Sequence, residues 1–167
     1  MSRPLHLVVM GVAGVGKTTV ARRLADRLDL VYAEGDDFHP EANVAKMASG
    51  QPLTDADRLP WLEALAAWID ERHADGDSTV TTCSALRRRY RDILRSGGAE
   101  PYFVHLDGPE ELIRRRMEGR EHFMPPALLR SQFETLEPLE RDEAGMTVDV
   151  TRPVDAIVTR IVTALET

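Results

Sequence analysis

The chain has 167 residues, 43% hydrophobic and 29% charged, with a formal charge of −7, which is room for one sizeable core and predicts a single domain over residues 1–167. No run is long enough to span a bilayer and no cleavable leader precedes Leu5, so a cytoplasmic protein with no membrane partner is expected, and the acidic balance argues against nucleic acid. The single cysteine, Cys83, excludes an internal disulfide and a thiolate zinc site and reads as a small buried hydrophobe at a strand end.

Leu5, Leu7, Val8, Val9 and Met10 form an apolar run that reads as a strand, followed directly by Gly11-Val12-Ala13-Gly14-Val15-Gly16-Lys17-Thr18. Gly, four variable residues and Gly-Lys-Thr between a strand and a helix is the phosphate-binding P-loop pattern. Glycines permit a turn whose successive N–H groups point inward, and the following helix adds its positive end to that anion cradle. Lys17 supplies a point charge for the β- and γ-phosphates, Thr18 is placed to ligate Mg²⁺, and Thr19 completes an ATP-binding stretch running from Gly11.

Val20, Ala21, Leu24, Ala25 and Leu28 recur at helical spacing, predicting an amphipathic helix that ends near Asp29. Leu30-Val31-Tyr32-Ala33 reads as a second short, buried strand, with Glu34, Asp36 and Asp37 crowded at its end. Ligands of open parallel sheets bind beyond such strand ends, so Asp36 is a candidate for chemistry, while Asp37 reads as a helix cap. Residues 42–50 are helix-like and broken by Gly50-Gln51-Pro52. Thr54 can cap a helix whose apolar face is Trp61, Leu62, Leu65, Trp68 and Ile69, with Pro60 in its opening turn or at a junction. The tryptophans read as core, and Asp55, Asp57 and Arg58 lie on the side open to a substrate or to water.

Ser78 to Cys83 reads as a strand, weakly apolar for a central one and without the terminal aspartate that many P-loop proteins use for the magnesium shell. Glu34 or Asp36 is left for that task. Ser84 is the expected cap of a helix opening with Arg87-Arg88-Arg89-Tyr90-Arg91; cations in a first turn oppose the helix dipole, so an anionic ligand or a plain surface cluster is predicted there. Tyr102 to Leu106 is a strand in which His105 reads as a satisfied core or edge histidine, and Leu112, Ile113, Arg116 and Met117 lie on the next helix. Residues 119–145, bounded by glycines and prolines, predict a mobile lid with Arg116, Arg120 and Arg130 on it or at its base. Thr147 to Val150 is a last strand, and Val154, Ile157, Val158, Ile161, Val162 and Leu165 form the buried stripe of a closing helix. Five strands alternating with helices predict an α/β fold, a five-stranded parallel sheet sandwiched by helices. A P-loop, acidic groups at the next strand end and an arginine-bearing lid describe a small phosphotransferase.

The chain also resembles the gluconate kinases, a family of P-loop small-molecule kinases. The likeness is carried by Met10 through Thr18, Gly35-Asp36 with His39-Pro40, Lys46-Met47-Ala48-Ser49-Gly50, Pro52-Leu53 with Asp55, Asp57 and Arg58, and Pro60-Trp61-Leu62. It continues in Cys83-Ser84-Ala85-Leu86, Tyr90-Arg91-Asp92, His122-Phe123 and Ser131-Gln132-Phe133-Glu134-Thr135-Leu136-Glu137. Glu34 stands where an aspartate is frequent, and Gly119-Arg120-Glu121-His122 approaches the lid histidine one residue tighter than usual. The resemblance implies transfer of the ATP γ-phosphate to the 6-hydroxyl of D-gluconate, with Mg²⁺ as cofactor and a homodimer as the common assembly.

Joined to the chemistry of an anionic polyol, the resemblance implies a set of roles. Arg91, with Arg88 as second choice, and Arg58 would hold the substrate; His39 and Gln132 would contact its hydroxyls. Asp36 would accept the attacking hydroxyl's proton, Lys17 and Arg120 would neutralise the γ-phosphoryl group, and Arg116 and Arg152 would flank adenine. The alternatives left open are a related enzyme such as a shikimate kinase or nucleoside monophosphate kinase, and a nucleotide-binding sensor without turnover.

Overall fold

The structure, a computed structural model, describes residues 3–118 and 126–166. Among them lie five strands, β1 (His6–Met10), β2 (Val31–Glu34), β3 (Thr79–Thr82), β4 (Tyr102–Asp107) and β5 (Gly145–Asp149). Seven helices accompany them: α1 (Lys17–Leu28), α2 (Glu41–Ala48), α3 (Asp55–Ala74), α4 (Arg88–Leu94), α5 (Glu110–Glu118), α6 (Pro126–Thr135) and α7 (Val154–Leu165). The strands form one sheet in the order β2-β3-β1-β4-β5, and every neighbouring pair is parallel. This is the expected architecture. Parallel strands need crossover connections, and these helices cover both faces.

Alternation along the central strands divides the core in two. Leu7, Val9, Val80, Val104 and Leu106 pack with Val20 and Leu24 of α1, Ile113 of α5 and Ile157 and Ile161 of α7. On the opposite face Val8, Met10 and Phe103 pack with Trp61, Leu62, Leu65 and Ile69 of α3 and Tyr90 and Leu94 of α4. Of the two tryptophans expected in the core, Trp61 is buried there and Trp68 packs against it half-buried. No described helix is long and apolar enough to cross a membrane.

Several local expectations are corrected by burial. β2 is an edge strand, not a buried one: it pairs only with β3, and Val31 is exposed. The polar β3 is buried at every position, because its threonines are β-branched and two of their hydroxyls are bonded: Thr79 Oγ1 lies 2.8 Å from His6 Nδ1, and Thr82 Oγ1 donates to Glu34 Oε1 at 2.7 Å. Asp37 lies in a 3-10 turn, Gly35–Phe38, while Pro40 holds the N-cap of α2. Thr54 caps α3 as expected, in a capping box with Asp57. Pro60, however, sits inside α3 beyond the opening turn, so it removes a helical hydrogen bond instead of occupying a position whose N–H is already free. His105 is buried, but both ring nitrogens lack a hydrogen-bond partner; it is a core histidine, not a satisfied one, and burial pushes its pKa down.

The arginine run of α4 finds its anions within the chain. Arg91 is fully buried: Nε donates to Glu143 Oε1 at 2.7 Å, Nη2 to Glu143 Oε2 at 2.9 Å, and Nη1 to the Ala85 carbonyl at 2.8 Å. Arg88 reaches Glu140 and Asp142, each at 2.7 Å, and Arg89 reaches Asp55 at 2.5 Å. These pairings also shorten the expected lid. From residue 136 onward the chain is held down on α4: Glu137 N–H donates to the Leu86 carbonyl at 2.6 Å, and the Glu137 carboxylate accepts the Arg88 N–H at 2.9 Å. The Glu143 side chain is fully buried.

Candidate active site

Beyond the C-terminal ends of β1, β2 and β3 opens a cavity of about 350 Å³. The strand order changes direction about β1, and such a switch point is where open α/β sheets bind ligands. One wall is the P-loop with Ala13, Gly14, Gly16, Lys17, Thr18 and Thr19; Glu34, Asp36 and His39 enter from β2 and the turn after it; Arg58 and Trp61 come from α3, and Ser131, Gln132 and Thr135 from α6.

Gly16 holds a φ of 105°, a left-handed conformation that glycine adopts without cost, and so turns the chain into α1. Val12 and Val15 are buried in the core and fasten the loop to it. Lys17 Nζ folds back onto the carbonyls of Gly11 at 2.9 Å and Val12 at 3.0 Å. Burial lowers its pKa, with Asp36 and Glu34 acting in the opposite direction. Gly11 itself is tied to the segment that follows β3 through its N–H and the Ser84 carbonyl, 3.3 Å apart.

Asp36 is aimed by its neighbour. Gly35 N–H donates to Thr82 Oγ1 at 3.0 Å, Trp61 Nε1 donates to the Gly35 carbonyl at 2.8 Å, and a Cβ at Gly35 would stand 1.7 Å from the Thr82 carbonyl oxygen. Only glycine fits between β3 and α3, so the backbone that carries Asp36 is fixed on both sides. The Asp36 side chain is 81% exposed, with one oxygen 4.0 Å from His39 Nε2. His39 stacks on Trp61, ring centres 4.1 Å apart. Asn43 donates through Nδ2 to the Asp57 carbonyl at 2.8 Å and meets His39 Nδ1 at 3.2 Å. An amide nitrogen has only donors to give, so His39 Nδ1 accepts and its proton sits on Nε2, toward Asp36. Burial, helped by the Arg58 charge, lowers the His39 pKa against the opposing pull of Asp36, and a lowered pKa favours the neutral ring near pH 7.

Glu34 gathers three hydroxyls. Thr18 Oγ1 donates to its Oε2 at 2.9 Å, Tyr32 OH donates to the same oxygen, and Thr82 donates to Oε1. Burial alone would push the carboxyl up; the hydrogen bonds from Tyr32, Thr82 and Thr18, with Lys17 nearby, outweigh it and hold the pKa below the usual value. The carboxylate absent from the end of β3 is thus supplied by the adjacent strand. Arg58 is set by the Leu53 carbonyl at 2.7 Å and Tyr90 OH at 3.1 Å, and Tyr90 OH donates to Asp55 at 2.5 Å. Lys46 donates to Asp57 at 2.6 Å, so the two aspartates just before Arg58 are each engaged within the chain. Gln132 Oε1 accepts the Ala13 N–H at 2.7 Å.

The cavity therefore collects Lys17, Thr18, Asp36, His39, Arg58 and Gln132. Arg88 and Arg91 do not join them; the expectation that they hold the substrate is corrected by their pairing with Asp142 and Glu143. Arg116 and Arg152 are exposed and do not line the cavity; Arg116 Nη2 donates to the Val150 carbonyl at 2.8 Å, next to the turn bearing Arg152. Arg120 lies outside the described residues. Cys83 is buried and its thiol is pushed up to about 12 by that burial, leaving it inert. Sequence reading passed over Tyr32, Thr82, Trp61 and Tyr90 as site-building residues; the alternation placing Tyr32 and Glu34 on one side of β2 is the signal that could have found the first.

A family model described as an AAA domain matches residues 7–139. A gluconokinase of Gluconobacter oxydans is 47% identical over 161 residues, covering 96% of this chain and 90% of that protein. Two solved structures share the fold and much of the sequence. A sugar kinase from a Janibacter species has a TM-score of 0.94 at 52% identity, covering 98% of this chain and 95% of that one. A gluconokinase from Sinorhizobium meliloti has a TM-score of 0.87 at 43% identity, covering 99% and 94%. With its P-loop, its Gly35-Asp36 turn and its α6 helix gathered round one cavity, this chain belongs to the gluconokinase family.

Proposed function

We propose that this chain phosphorylates D-gluconate at its 6-hydroxyl with ATP, in the cavity between the P-loop and α3. The observation that carries the reading is the sharing of one cavity by a phosphate cradle, an exposed carboxylate and the Arg58 guanidinium, whose hydrogen bonds go to neutral oxygens. The P-loop amides and Lys17 hold the triphosphate. Arg58 meets the sugar acid's carboxylate, and the Nε2–H of neutral His39 donates to a hydroxyl. Asp36 lies beside the attacking hydroxyl. As the bond from O6 to the γ-phosphorus forms and the bond from that phosphorus to the bridging oxygen breaks, the hydroxyl proton passes to the Asp36 carboxylate and ADP leaves. Arg120 would add positive charge on the γ-phosphoryl group.

The donor set suits Mg²⁺: a threonine hydroxyl and a carboxylate oxygen lie 2.9 Å apart beside the P-loop, all oxygen and hard. Among the described residues no group of three or more His, Cys, Asp or Glu could enclose a metal, which fits an ion that takes most of its ligands from phosphates and water. Thr18 would be its direct ligand and Glu34 would accept the threonine proton, turning a lone pair toward the metal. When bound, Mg²⁺ offsets charge on the phosphates. Glu34→Gln is expected to weaken Mg²⁺-dependent ATP binding about tenfold while leaving metal-free binding unchanged, measured by calorimetry with and without EDTA. Equal binding in both conditions would remove Glu34 from this role.

The family resemblance further implies a cytoplasmic homodimer, and a monomer mass in light scattering would overturn the second part. The activity itself is tested by following ADP release with gluconate, shikimate or nucleoside monophosphates as acceptor. Gluconate alone is expected to stimulate it. Stimulation by shikimate or a monophosphate would assign a sister activity, and no stimulation by any acceptor would indicate a sensor.

A further inference from the structure

Helix α6 is fastened to the rest of the protein unevenly. Its C-terminal end runs into the Glu137 anchor on Leu86 and Arg88, and Leu129 is buried in the core. Among the described residues Arg130 pairs with Glu110 and Glu134, both at the exposed side. Toward the cavity, the hydrogen bond that joins α6 to the P-loop is that from Ala13 N–H to Gln132 Oε1, 2.7 Å long. A backbone N–H can only donate, so the amide orientation is unambiguous: the oxygen faces Ala13, and the Nε2 group keeps two protons to give with no hydrogen-bond partner among the described residues. Gln132 lines the cavity together with Lys17 and Asp36, so the group nearest to being satisfied by that NH₂ is an anionic or hydroxylic oxygen of a bound ligand.

We propose that Gln132 is a positioning residue that couples α6 to the P-loop and reads the γ-phosphate. Its oxygen keeps the Ala13 peptide in place, and its NH₂ donates to the terminal phosphoryl group when ATP is bound, drawing α6 onto the triphosphate; ADP, one phosphoryl group shorter, leaves that donor unmatched. This replaces the contact to a sugar hydroxyl expected from the sequence, because the acceptor half of the amide is already engaged by the loop. It deepens the kinase reading of the same cavity. It concerns nucleotide binding, so its failure can be told apart from failure of the kinase reading.

The experiment is calorimetric titration of the wild type, Gln132→Met and Gln132→Glu with a non-hydrolysable ATP analogue and with ADP, both with Mg²⁺. Gln132→Met removes both halves of the amide. Gln132→Glu keeps an oxygen for Ala13 N–H but offers an acceptor and a negative charge where the donor was. Each variant is expected to lose about tenfold or more in affinity for the ATP analogue, the scale of one hydrogen bond to a charged group, and less than about threefold for ADP. Gln132→Glu should be the worse of the two despite retaining the Ala13 bond. Equal losses for both nucleotides would reduce Gln132 to a structural tether, and unchanged nucleotide affinities with a raised KM for gluconate would return it to the substrate; either result overturns the proposal. Wild-type protein that binds neither nucleotide would instead overturn the kinase reading itself.

Discussion

Asp36→Asn is expected to lower kcat by about a hundredfold or more while leaving ATP affinity close to that of the parent, since a positioned proton acceptor contributes on that scale. The carboxylate is exposed to the cavity, and its backbone is clamped through Gly35, Thr82 and Trp61, so the amide should occupy the same place without disturbing the fold. Lys17→Met is the companion test. It removes the charge that faces the β- and γ-phosphates, and the expected loss is again about a hundredfold or more, with weaker ATP binding because the lysine also contributes to the ground state. The two variants thus separate: a kcat effect alone at Asp36, kcat and nucleotide affinity together at Lys17. Steady-state kinetics alongside nucleotide titration distinguishes them, and near-parental turnover in folded Asp36→Asn would remove the proton-acceptor role.

The largest effect on stability is expected at Arg91. Its guanidinium is buried and bonded by every nitrogen, and its removal by Arg91→Leu leaves the buried Glu143 carboxylate with Arg95 at 2.9 Å as its remaining cation. Breaking a buried pair from one side costs about 3–5 kcal/mol, which lowers Tm by about 10 °C in a chain of this size. The double change Arg91→Leu with Glu143→Leu should regain most of that loss, because the expensive element is the unpaired charge. Burial would raise the Glu143 pKa, but Arg91, the Glu140 N–H and Arg95 hold it at about 2. A folded pKa below the unfolded value means the pair contributes fully above about pH 4.5 and is lost as pH falls toward 2. Wild-type protein should therefore lose stability across that window, and Arg91→Leu with Glu143→Leu should lose less; thermal melts between pH 7 and 3 check both. The site would feel the break too, since Arg91 holds the Ala85 carbonyl in the turn whose Ser84 and Leu86 line the cavity.

The arginine run also marks the boundary of what the sequence discloses. Local pattern carried the P-loop, α1 with its end at Asp29, the capping box at Thr54 and the alternation of five strands, because each depends on residues a few positions apart. The partners of Arg88 and Arg91 lie about fifty residues on, in a charged stretch that by itself reads as lid. Only the parallel placement of β5 beside β4 brings Glu140, Asp142 and Glu143 over α4. The sequence left Glu34 and Asp36 as alternatives for the carboxylate missing from β3, and it took the sheet order, which sets β2 beside β3, to bring Glu34 to Thr18. Gln132 was legible as a site residue from the family resemblance, but its bond to Ala13 spans 119 positions and needed the fold. With Arg88 and Arg91 engaged elsewhere, the described arginine left facing the cavity is Arg58, which leaves the proposed hold on the sugar acid's carboxylate to one side chain of α3.

A crystal structure of the protein with a non-hydrolysable ATP analogue, Mg²⁺ and D-gluconate tests this arrangement most directly. The terminal hydroxyl is expected within hydrogen-bond reach of Asp36 and in line with the γ-phosphorus, about 3–3.5 Å away, with the carboxylate on Arg58. Gluconate bound with its carboxylate toward the P-loop, or with its terminal hydroxyl remote from Asp36, would contradict it.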